Sequence, residues 1–452
     1  MRTILYFNVT NPSILKHDVG YNKITITDKY HFKHLDKIDI KKINTFDIFH
    51  RNYFKKNEKK KISFERLRKY DLFFFEFSDQ YLRWHFGNKI SQLELRAIYH
   101  NSIMNWIFFI EQYNIKKIYY DNAPHRAFDY VLYKIAENLN LKNIIFEKTN
   151  VEYRIFAKKK IRPNIENLEK IKPLNQLSNI NINLQHIHEF KKLNIFKIIF
   201  KEILLLSKLL AKILINYKSE NYIIPKNKYN FLNNWKYFLF IYQSKFNKLF
   251  YRIIYDLNIT KYPRIQKKDI IFYKHYQPEA TTNPLSLPIF DQTFCLERFF
   301  EIKDISIFVK EHPSSLSFDN SHMNKFPNKI SDIFFYKNNK IKLIKKFDDQ
   351  EHVCATLSGT AGLENALKGR KVVCFSKPWY YFLPNVHVYN TENELTNFIK
   401  LNVSYDTDKI EDMLLNFFNN YTESFTPYNE GKNDLKNTEN YLYQYDRTTE
   451  KI

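Results

Sequence analysis

The chain has 452 residues, which is enough for two or three domains with buried cores. Lysine and arginine outnumber aspartate and glutamate by 71 to 48, and the resulting formal net charge of +23 is compatible with an anionic partner. The lysines are spread in short clusters through a chain rich in Asn, Ile, Phe and Tyr, a pattern typical of AT-rich coding. The charge therefore does not indicate a nucleic-acid partner.

The cysteine and histidine patterns indicate no metal site. Cys295, Cys354 and Cys374 are too few and too widely spaced for a disulfide framework or a paired-thiolate site, and two of them lie in apolar runs typical of a core. No His/Cys cluster has ligand spacing, so we expect neither a metal nor another cofactor. The N-terminus lacks the features of a secretory signal, which predicts a cytoplasmic protein.

The first third of the chain, residues 1–153, is expected to form an α/β domain. Strands are predicted at residues 4–9, 72–77, 117–120 and 143–146, and helices at residues 92–112 and 127–139. Strands that alternate with helices at this spacing indicate a parallel sheet that is covered on both faces.

Two places in this domain carry candidate catalytic groups. Residues 78–87 are predicted to form a polar loop after the second strand, where Glu76 and Asp79 would lie close together. Carboxylates at a strand end can act as an acid or base, and ordinary surface ion pairing is the alternative. His125 follows the strand 117–120 directly, a position that suits either chemistry or a structural role.

The α/β pattern stops over residues 154–262, which are apolar, aromatic and basic. Residues 194–216 indicate a helix whose lysines and Glu202 would be costly inside a bilayer, which argues against a transmembrane span. Two alternatives stay open: a helix packed between domains, or an amphipathic helix on an anionic membrane surface. Residues 229–257 could share either role.

The α/β pattern resumes over residues 263–426, and the polar residues 427–452 are expected to form a loosely held tail. Strands are predicted at residues 269–273, 305–309, 341–344, 353–357, 371–376 and 386–389, and helices at residues 291–300, 363–368, 392–401 and 409–421. Three strands end in polar segments, at residues 274–282, 310–313 and 358–364. Because the carboxyl ends of parallel strands lie on one edge, these segments are expected to line a single crevice.

The segment 358–362, Ser-Gly-Thr-Ala-Gly, lies between a strand and a helix that Gly369 is expected to end. It holds two of the six glycines of the chain. Small residues let backbone N–H groups approach a bound anion, and the helix dipole favours an anion at this end. The pattern predicts a phosphate-bearing ligand, and a tight turn that binds nothing is the alternative.

Four motifs together resemble the capsule polysaccharide biosynthesis protein family, which includes bacterial transferases that use CMP-Kdo. They are Asn122-Ala-Pro-His125, His275-Tyr-Gln-Pro-Glu279-Ala-Thr-Thr, Lys310-Glu-His312-Pro and Ser358-Gly-Thr-Ala-Gly-Leu-Glu364, the last followed by Lys371-Val-Val. The likeness spans residues 70–400. It implies a GT-B architecture, in which two Rossmann-like domains face a central cleft, here with a helical insertion between them.

The resemblance also implies roles for individual residues. Glu364 would bind the ribose hydroxyls, because a carboxylate accepts two hydrogen bonds from a diol. The residues implied for donor binding are His275, Glu279, Lys310, His312, Ser358, Gly359, Thr360, Gly362 and Glu364. The candidate catalytic residues are Glu76, Asp79, His125 and His312.

The expected function is metal-independent transfer of a sugar from a nucleotide sugar to a lipid-linked or polysaccharide acceptor. The Kdo transferases of the family carry an acidic loop with a glycine in the N-terminal half. Residues 76–83 are its nearest equivalent and lack this glycine, so the sugar would be Kdo or another one. A sugar-nucleotide epimerase of the same fold is one alternative. The other is a non-catalytic capsule assembly factor that contacts the inner membrane through residues 194–257.

Overall fold

The computed structural model describes residues 2–9, 14–15, 20–27, 35, 39–44, 62–84, 91–149, 154–161, 204, 207, 259–260, 264–275, 284–286, 289, 292–300, 302–310, 312, 341–344 and 351–424. Their strands are β1 Thr3–Phe7, β2 Asn22–Thr27, β3 Lys41–Asn44, β4 Ile115–Tyr120, β5 Lys142–Lys148, β6 Arg154–Lys158, β7 Ile259–Thr260, β8 Ile270–Tyr273, β9 Ile307–Lys310, β10 Ile341–Ile344, β11 Val353–Thr356, β12 Val372–Cys374, β13 Val386–Val388 and β14 Glu423–Ser424. Their helices are α1 Phe64–Arg68, α2 Phe74–Trp84, α3 Gln92–Gln112, α4 Ala127–Asn138, α5 Gln292–Glu297, α6 Thr360–Leu367, α7 Glu392–Lys400 and α8 Thr407–Tyr421.

The first domain is built on a seven-stranded sheet of order β14-β6-β5-β4-β1-β2-β3. Strands β1 to β5 are parallel, while β6 and β14 add antiparallel strands at one edge. Apolar side chains alternate along β1 and β4, so that Phe7 and Tyr120 face the helices α2, α3 and α4 and their neighbours face the opposite core. The strand order reverses between β1 and β4, which opens a crevice at their carboxyl ends.

The second domain is built on a parallel sheet of order β13-β12-β11-β8-β9-β10-β7. Helices α6 and α8 cover one face and α5 and α7 the other, and the strands between them are buried on both faces. The strand order reverses between β8 and β11, which gives this domain its own crevice. The expected architecture of two Rossmann-like domains is confirmed.

The end of α8 returns the chain to the first domain. Strand β14 pairs with β6, and the buried guanidinium of Arg154 donates to Thr422 Oγ1 at 2.6 Å and to the Thr422 carbonyl at 3.1 Å. Phe156 contacts Phe417 edge-on. Because β6 is part of the first sheet, this sheet continues past the domain boundary predicted at residue 153.

One predicted strand is wrong. Residues 72–77 form a short 3-10 turn and the start of α2, and the predicted loop at 78–87 is helical up to Trp84. The reason is periodicity, since Phe77 and Tyr81 are buried one turn apart whereas Leu72 and Phe75 are exposed. An apolar run of six residues is too short to distinguish helix from strand.

Other expectations have mixed outcomes. The sequence pattern predicts neither β2 nor β3, whereas α3 has the expected bounds and all three cysteines are buried and form no disulfide within the described part of the chain. Within the predicted helix at residues 194–216, Leu204 and Ser207 are helical, and its other residues lie outside the described part of the chain. No helix among the described residues is both long and apolar enough to cross a bilayer.

Candidate functional site

The three predicted polar segments follow neighbouring strands of the second sheet. They continue β8, β9 and β11, which lie in the order β11-β8-β9 and run parallel. The prediction that these strand ends share one edge is confirmed. The reversal of strand order between β8 and β11 places the starts of the first and third segments on either side of the crevice.

The turn at residues 358–362 packs too closely for larger side chains at its glycines. Gly359 is the N-terminal cap of α6 with φ −79° and ψ 167°, so its conformation alone does not require glycine. A Cβ there would lie only 2.6 Å from Nε2 of His275, and a Cβ at Gly362 would overlap the hydroxyl of Tyr380. No side chain of the described residues caps the N-terminus of α6, where the Gly362 N–H donates to the Gly359 carbonyl at 2.9 Å.

His275 lies beneath this turn and supports it. Its Nε2 accepts a hydrogen bond from the Ser358 N–H at 3.3 Å and lies 2.8 Å from Thr356 Oγ1. The Gln292 side chain accepts from the His275 N–H at 2.6 Å and donates to its carbonyl at 3.3 Å. Burial, with the nearby His312, lowers the pKa of His275 to about 3. The ring is neutral at physiological pH, so it positions the turn rather than supplying positive charge to a phosphate.

Lys310 and Glu364 carry opposite charges and lie close enough for each to influence the pKa of the other. Lys310 ends β9, with Nζ 5.4 Å from the centroid of the Tyr273 ring, and Glu364 lies on the second turn of α6. Burial raises the pKa of Glu364, whereas the positive charges of Lys310 and Lys368 lower it. Burial lowers the pKa of Lys310, whereas the negative charge of Glu364 raises it. The site thus combines a helix N-terminus, a half-buried cation and a half-buried carboxylate.

The other candidate residues lie apart from this edge or outside the described chain. Glu76 and Asp79 are on α2 of the first domain, not at a strand end, and neither lines the cavity described below. Glu279 lies outside the described residues. His312 is half-buried and close enough to His275 to influence its pKa. No three His, Cys, Asp or Glu side chains within the described part of the chain stand close enough to share a metal ion.

The crevice of the first domain contains a cavity of about 240 Å³ at the carboxyl ends of β1 and β4. Its polar lining residues are Asn8, Thr27, Asp121, Asn122, His125, Arg126 and Asp129. His125 Nδ1 donates to the Ala123 carbonyl at 2.8 Å, which leaves Nε2 as the acceptor nitrogen of the neutral ring. The prediction of His125 at a strand-to-helix connection is confirmed, and the cavity adds a reason to consider it functional.

Asp129 is a candidate that the sequence pattern does not reveal. It lies in the first turn of α4, where an aspartate commonly interacts with backbone N–H groups. Its side chain is 4% exposed, and Oδ1 has no hydrogen-bond partner within the described chain. Burial raises its pKa to about 7, although the Arg126 guanidinium and backbone N–H groups lower it. Tyr120 lines the same cavity, and its buried hydroxyl also has no hydrogen-bond partner among the residues that the structure describes.

Buried polar groups without partners reduce the free energy of unfolding, and such groups persist mainly where function requires them. Two of them beside one cavity mark the crevice of the first domain as a second candidate site. This second site differs chemically from the first. The crevice of the first domain has a carboxyl, an imidazole and a guanidinium, whereas the edge of the second sheet has a helix N-terminus beside a lysine.

Comparisons with known proteins find distant structural similarity only. No family model and no curated protein matches the chain. Thermosulfurimonas dismutans KpsC, a beta Kdo 2,7 transferase, aligns at 11% identity and a TM-score of 0.31, over 79% of this chain and 98% of that one. The UDP-GlcNAc 2-epimerase of Methanocaldococcus jannaschii, in complex with UDP-GlcNAc and UDP, aligns at 12% identity and a TM-score of 0.29, over 98% and 100%.

A glycosyltransferase from Rickettsia africae aligns at 13% identity and a TM-score of 0.26, over 99% of this chain and 98% of that one. Similarity at this level does not identify a family.

Proposed function

We propose that the chain is a glycosyltransferase that binds a nucleotide sugar at the carboxyl edge of the second sheet. The observation that carries this proposal is the turn at residues 358–362, which lies where the strand order reverses and keeps its two glycines in close contact with His275 and Tyr380. That packing brings the backbone of the first turn of α6 to the sheet edge, where its N–H groups and dipole favour a phosphate.

The charges beside the turn suit the rest of a nucleotide. Lys310 would bind a phosphate oxygen, and Glu364 would accept hydrogen bonds from the ribose diol. When the bond between sugar and phosphate breaks, the nucleotide leaves as an anion. The helix dipole and Lys310 would stabilise that charge, so the reaction would not require a metal ion.

The acceptor would bind in the crevice of the first domain. Transfer to a hydroxyl requires a group that takes its proton, and His125 and Asp129 both line the cavity there. A pKa of about 7 makes the Asp129 carboxyl a suitable proton acceptor at neutral pH. The resemblance to capsule biosynthesis proteins favours a Kdo-like donor and a glycolipid or polysaccharide acceptor at the cytoplasmic face of a membrane.

Nucleotide binding provides the first test. The full-length protein is titrated with CMP, UDP and GDP by calorimetry, and it is then incubated with the corresponding sugar nucleotides and acceptor glycans while free nucleotide is measured. Glu364→Gln is expected to weaken binding about tenfold, which corresponds to the loss of one hydrogen bond to a charged group. Glu411→Gln, on the exposed surface of α8, is the matched control and should bind normally.

The outcomes separate the alternatives. Nucleotide release that depends on an acceptor supports the transferase, whereas interconversion of two free sugar nucleotides without acceptor would indicate an epimerase. If no nucleotide binds, or if Glu364→Gln binds as tightly as the wild type, the proposal is wrong. A non-catalytic assembly factor would complement a deletion strain even with Glu364→Gln.

A further inference from the structure

A second, larger cavity of about 780 Å³ lies at the amino edge of the second sheet, opposite the proposed nucleotide site. Its position follows from the topology. Strands β8, β9, β11 and β12 are parallel neighbours, so the residues that precede each of them share this edge. We call this surface the basic face and define it by six lysines that line the cavity: Lys267, Lys268, Lys303, Lys368, Lys371 and Lys400.

The basic face carries a large excess of positive charge. Its lining includes the six lysines and Arg370 but only two acids, Asp304 and Glu351, a surplus of five positive charges. Glu351 pairs with Lys267 at 3.1 Å, and both side chains of this ion pair are largely exposed. Burial lowers the pKa of Lys371, and the neighbouring Lys267 lowers it further. Lys267 and Lys371 are therefore close enough to repel each other, and an anionic partner would relieve that repulsion.

Two apolar side chains project from the same face. Leu401 and Val403 are 50% and 40% exposed, on the loop between α7 and α8, and both line the cavity. The Lys371 ammonium donates to the carbonyls of Ile399 and Leu401, which ties this loop to the start of β12. The loop thus holds an exposed leucine and an exposed valine among lysines.

We propose that the basic face docks on an anionic phospholipid bilayer, with Leu401 and Val403 entering the interface and the exposed Lys268, Lys303 and Lys400 binding lipid phosphates. Basic side chains around exposed apolar ones are the pattern of interfacial membrane binding. A nucleic acid or an anionic glycan would use the lysines but gain little from the leucine and the valine. This site is distinct from residues 194–257, and it does not depend on the proposed catalytic activity.

Sedimentation with vesicles tests the proposal on the full-length protein. The wild type is expected to bind vesicles of phosphatidylcholine mixed with phosphatidylglycerol, to bind phosphatidylcholine alone weakly, and to lose affinity as salt is added. The charge variant combines Lys268→Glu, Lys303→Glu and Lys400→Glu. Each lysine near an anionic surface contributes roughly fivefold in affinity, so its binding should fall by about a hundredfold or more.

The control variant makes the same change in net charge on the first domain, at three exposed lysines: Lys69→Glu, Lys116→Glu and Lys160→Glu. It should keep most of the affinity. A third variant, Leu401→Ser with Val403→Ser, should bind more weakly than the wild type while keeping the salt dependence. All three replace exposed side chains, so their unfolding temperatures should stay near that of the wild type.

Four results would overturn the proposal. They are a wild type that does not bind the anionic vesicles, equal losses in the two charge variants, unchanged binding of the charge variant, and unchanged binding of the Leu401/Val403 variant. Equal losses in the two charge variants would mean that only net charge matters. Unchanged binding of the charge variant would place membrane contact elsewhere in the chain. Unchanged binding of the Leu401/Val403 variant would point to a polyanion rather than a lipid surface.

Discussion

The imidazole of His275 and the backbone of Gly359 lie in direct contact, so that a Cβ at residue 359 would approach Nε2 of the ring to 2.6 Å. On the other side of the turn, the Tyr380 hydroxyl donates to the Gly359 carbonyl at 2.5 Å. The turn at residues 358–362 is therefore held between a ring that follows β8 and a ring that follows β12. Each ring gives a prediction that can be tested without knowing the substrate.

Gly362→Ala is expected to destabilise the protein, because its Cβ would overlap the Tyr380 hydroxyl. Overpacking of this kind costs about 1–3 kcal/mol in the free energy of unfolding. Adding Tyr380→Phe removes the overlapping oxygen, after which the nearest atoms would be the ring carbon Cζ at 3.1 Å and Thr356 Cγ2 at 3.2 Å. The double variant should therefore recover part of the loss, measured by urea unfolding.

Tyr380→Phe alone is the second single variant, which completes a double-mutant cycle with Gly362→Ala. It loses the hydrogen bond to the Gly359 carbonyl and should cost about 1 kcal/mol. Strictly additive effects of the two substitutions would show that the hydroxyl is not what excludes a side chain at residue 362.

His275 should make the protein less stable as the pH falls. Its pKa is about 3 in the folded protein, below the ordinary value of 6.5, so the unfolded chain takes up a proton first. The stability contributed by the neutral ring is fully present above pH 6.5 and is lost as the pH decreases toward 3. At pH 5 the loss relative to pH 8 should be about 2 kcal/mol.

His275→Gln should flatten this dependence, which urea unfolding between pH 8 and pH 5 would measure. His100→Gln is a matched control, because His100 is half-buried on α3 of the first domain and hydrogen-bonds Asp71. A wild type and a His275→Gln variant with parallel pH profiles would mean that the buried ring is not the titrating group.

The sequence predicts the second sheet well because its signals are local. Short apolar runs alternate with helices, and Gly369 has the positive φ of 70° that its position after α6 implies, with its N–H donating to the Ala366 carbonyl at 2.9 Å. The first sheet is predicted less completely. Strand β3 spans only four residues, and an apolar run at residues 72–77 takes the helical form once Phe77 and Tyr81 pack on α3 and α4.

The side-chain arrangement of the sites depends on contacts that no local pattern contains. Gln292 holds the backbone of His275 from 17 positions away, and Thr356 contacts its ring from 81 positions away. The burial of Asp129 likewise results from the packing of α4 into the core of the first domain, where Tyr133 of α4 contacts Tyr120 of β4. The sequence can therefore indicate which loops meet, but not that His275 is neutral or that Oδ1 of Asp129 has no hydrogen-bond partner among the described residues.

Lys310→Gln should distinguish a phosphate site from a general nucleoside site. If Lys310 binds a phosphate oxygen, the substitution weakens binding of a nucleoside monophosphate about tenfold and leaves binding of the matching uncharged nucleoside unchanged. Calorimetry with both ligands measures the difference. Lys342→Gln is the control, because Lys342 is an exposed residue on the neighbouring β10. Equal losses for both ligands would show that Lys310 acts on the fold of the site rather than on the phosphate.

Asp129 should have the opposite pH dependence from His275. Its pKa is raised from 3.8 to about 7 in the folded protein, so the unfolded chain releases the proton first. The contribution of the protonated Asp129 carboxyl to the free energy of unfolding is complete below pH 3.8 and is lost as the pH rises to about 7. Asp129→Asn is neutral at every pH, so it should be more stable than the wild type by about 4 kcal/mol at pH 8 and by about 2 kcal/mol at pH 5.

The same variant should be less active, because an amide cannot take the proton of an acceptor hydroxyl. General base catalysis contributes about 10²–10⁴-fold, and the acceptor-dependent release of nucleotide should fall by that factor while nucleotide affinity is unchanged. Asp412→Asn, on the exposed surface of α8, should change neither property. A variant that is destabilised equally at all pH values would show that the Asp129 carboxylate is ionised and well partnered. A more stable variant that keeps its activity would assign Asp129 no part in proton transfer.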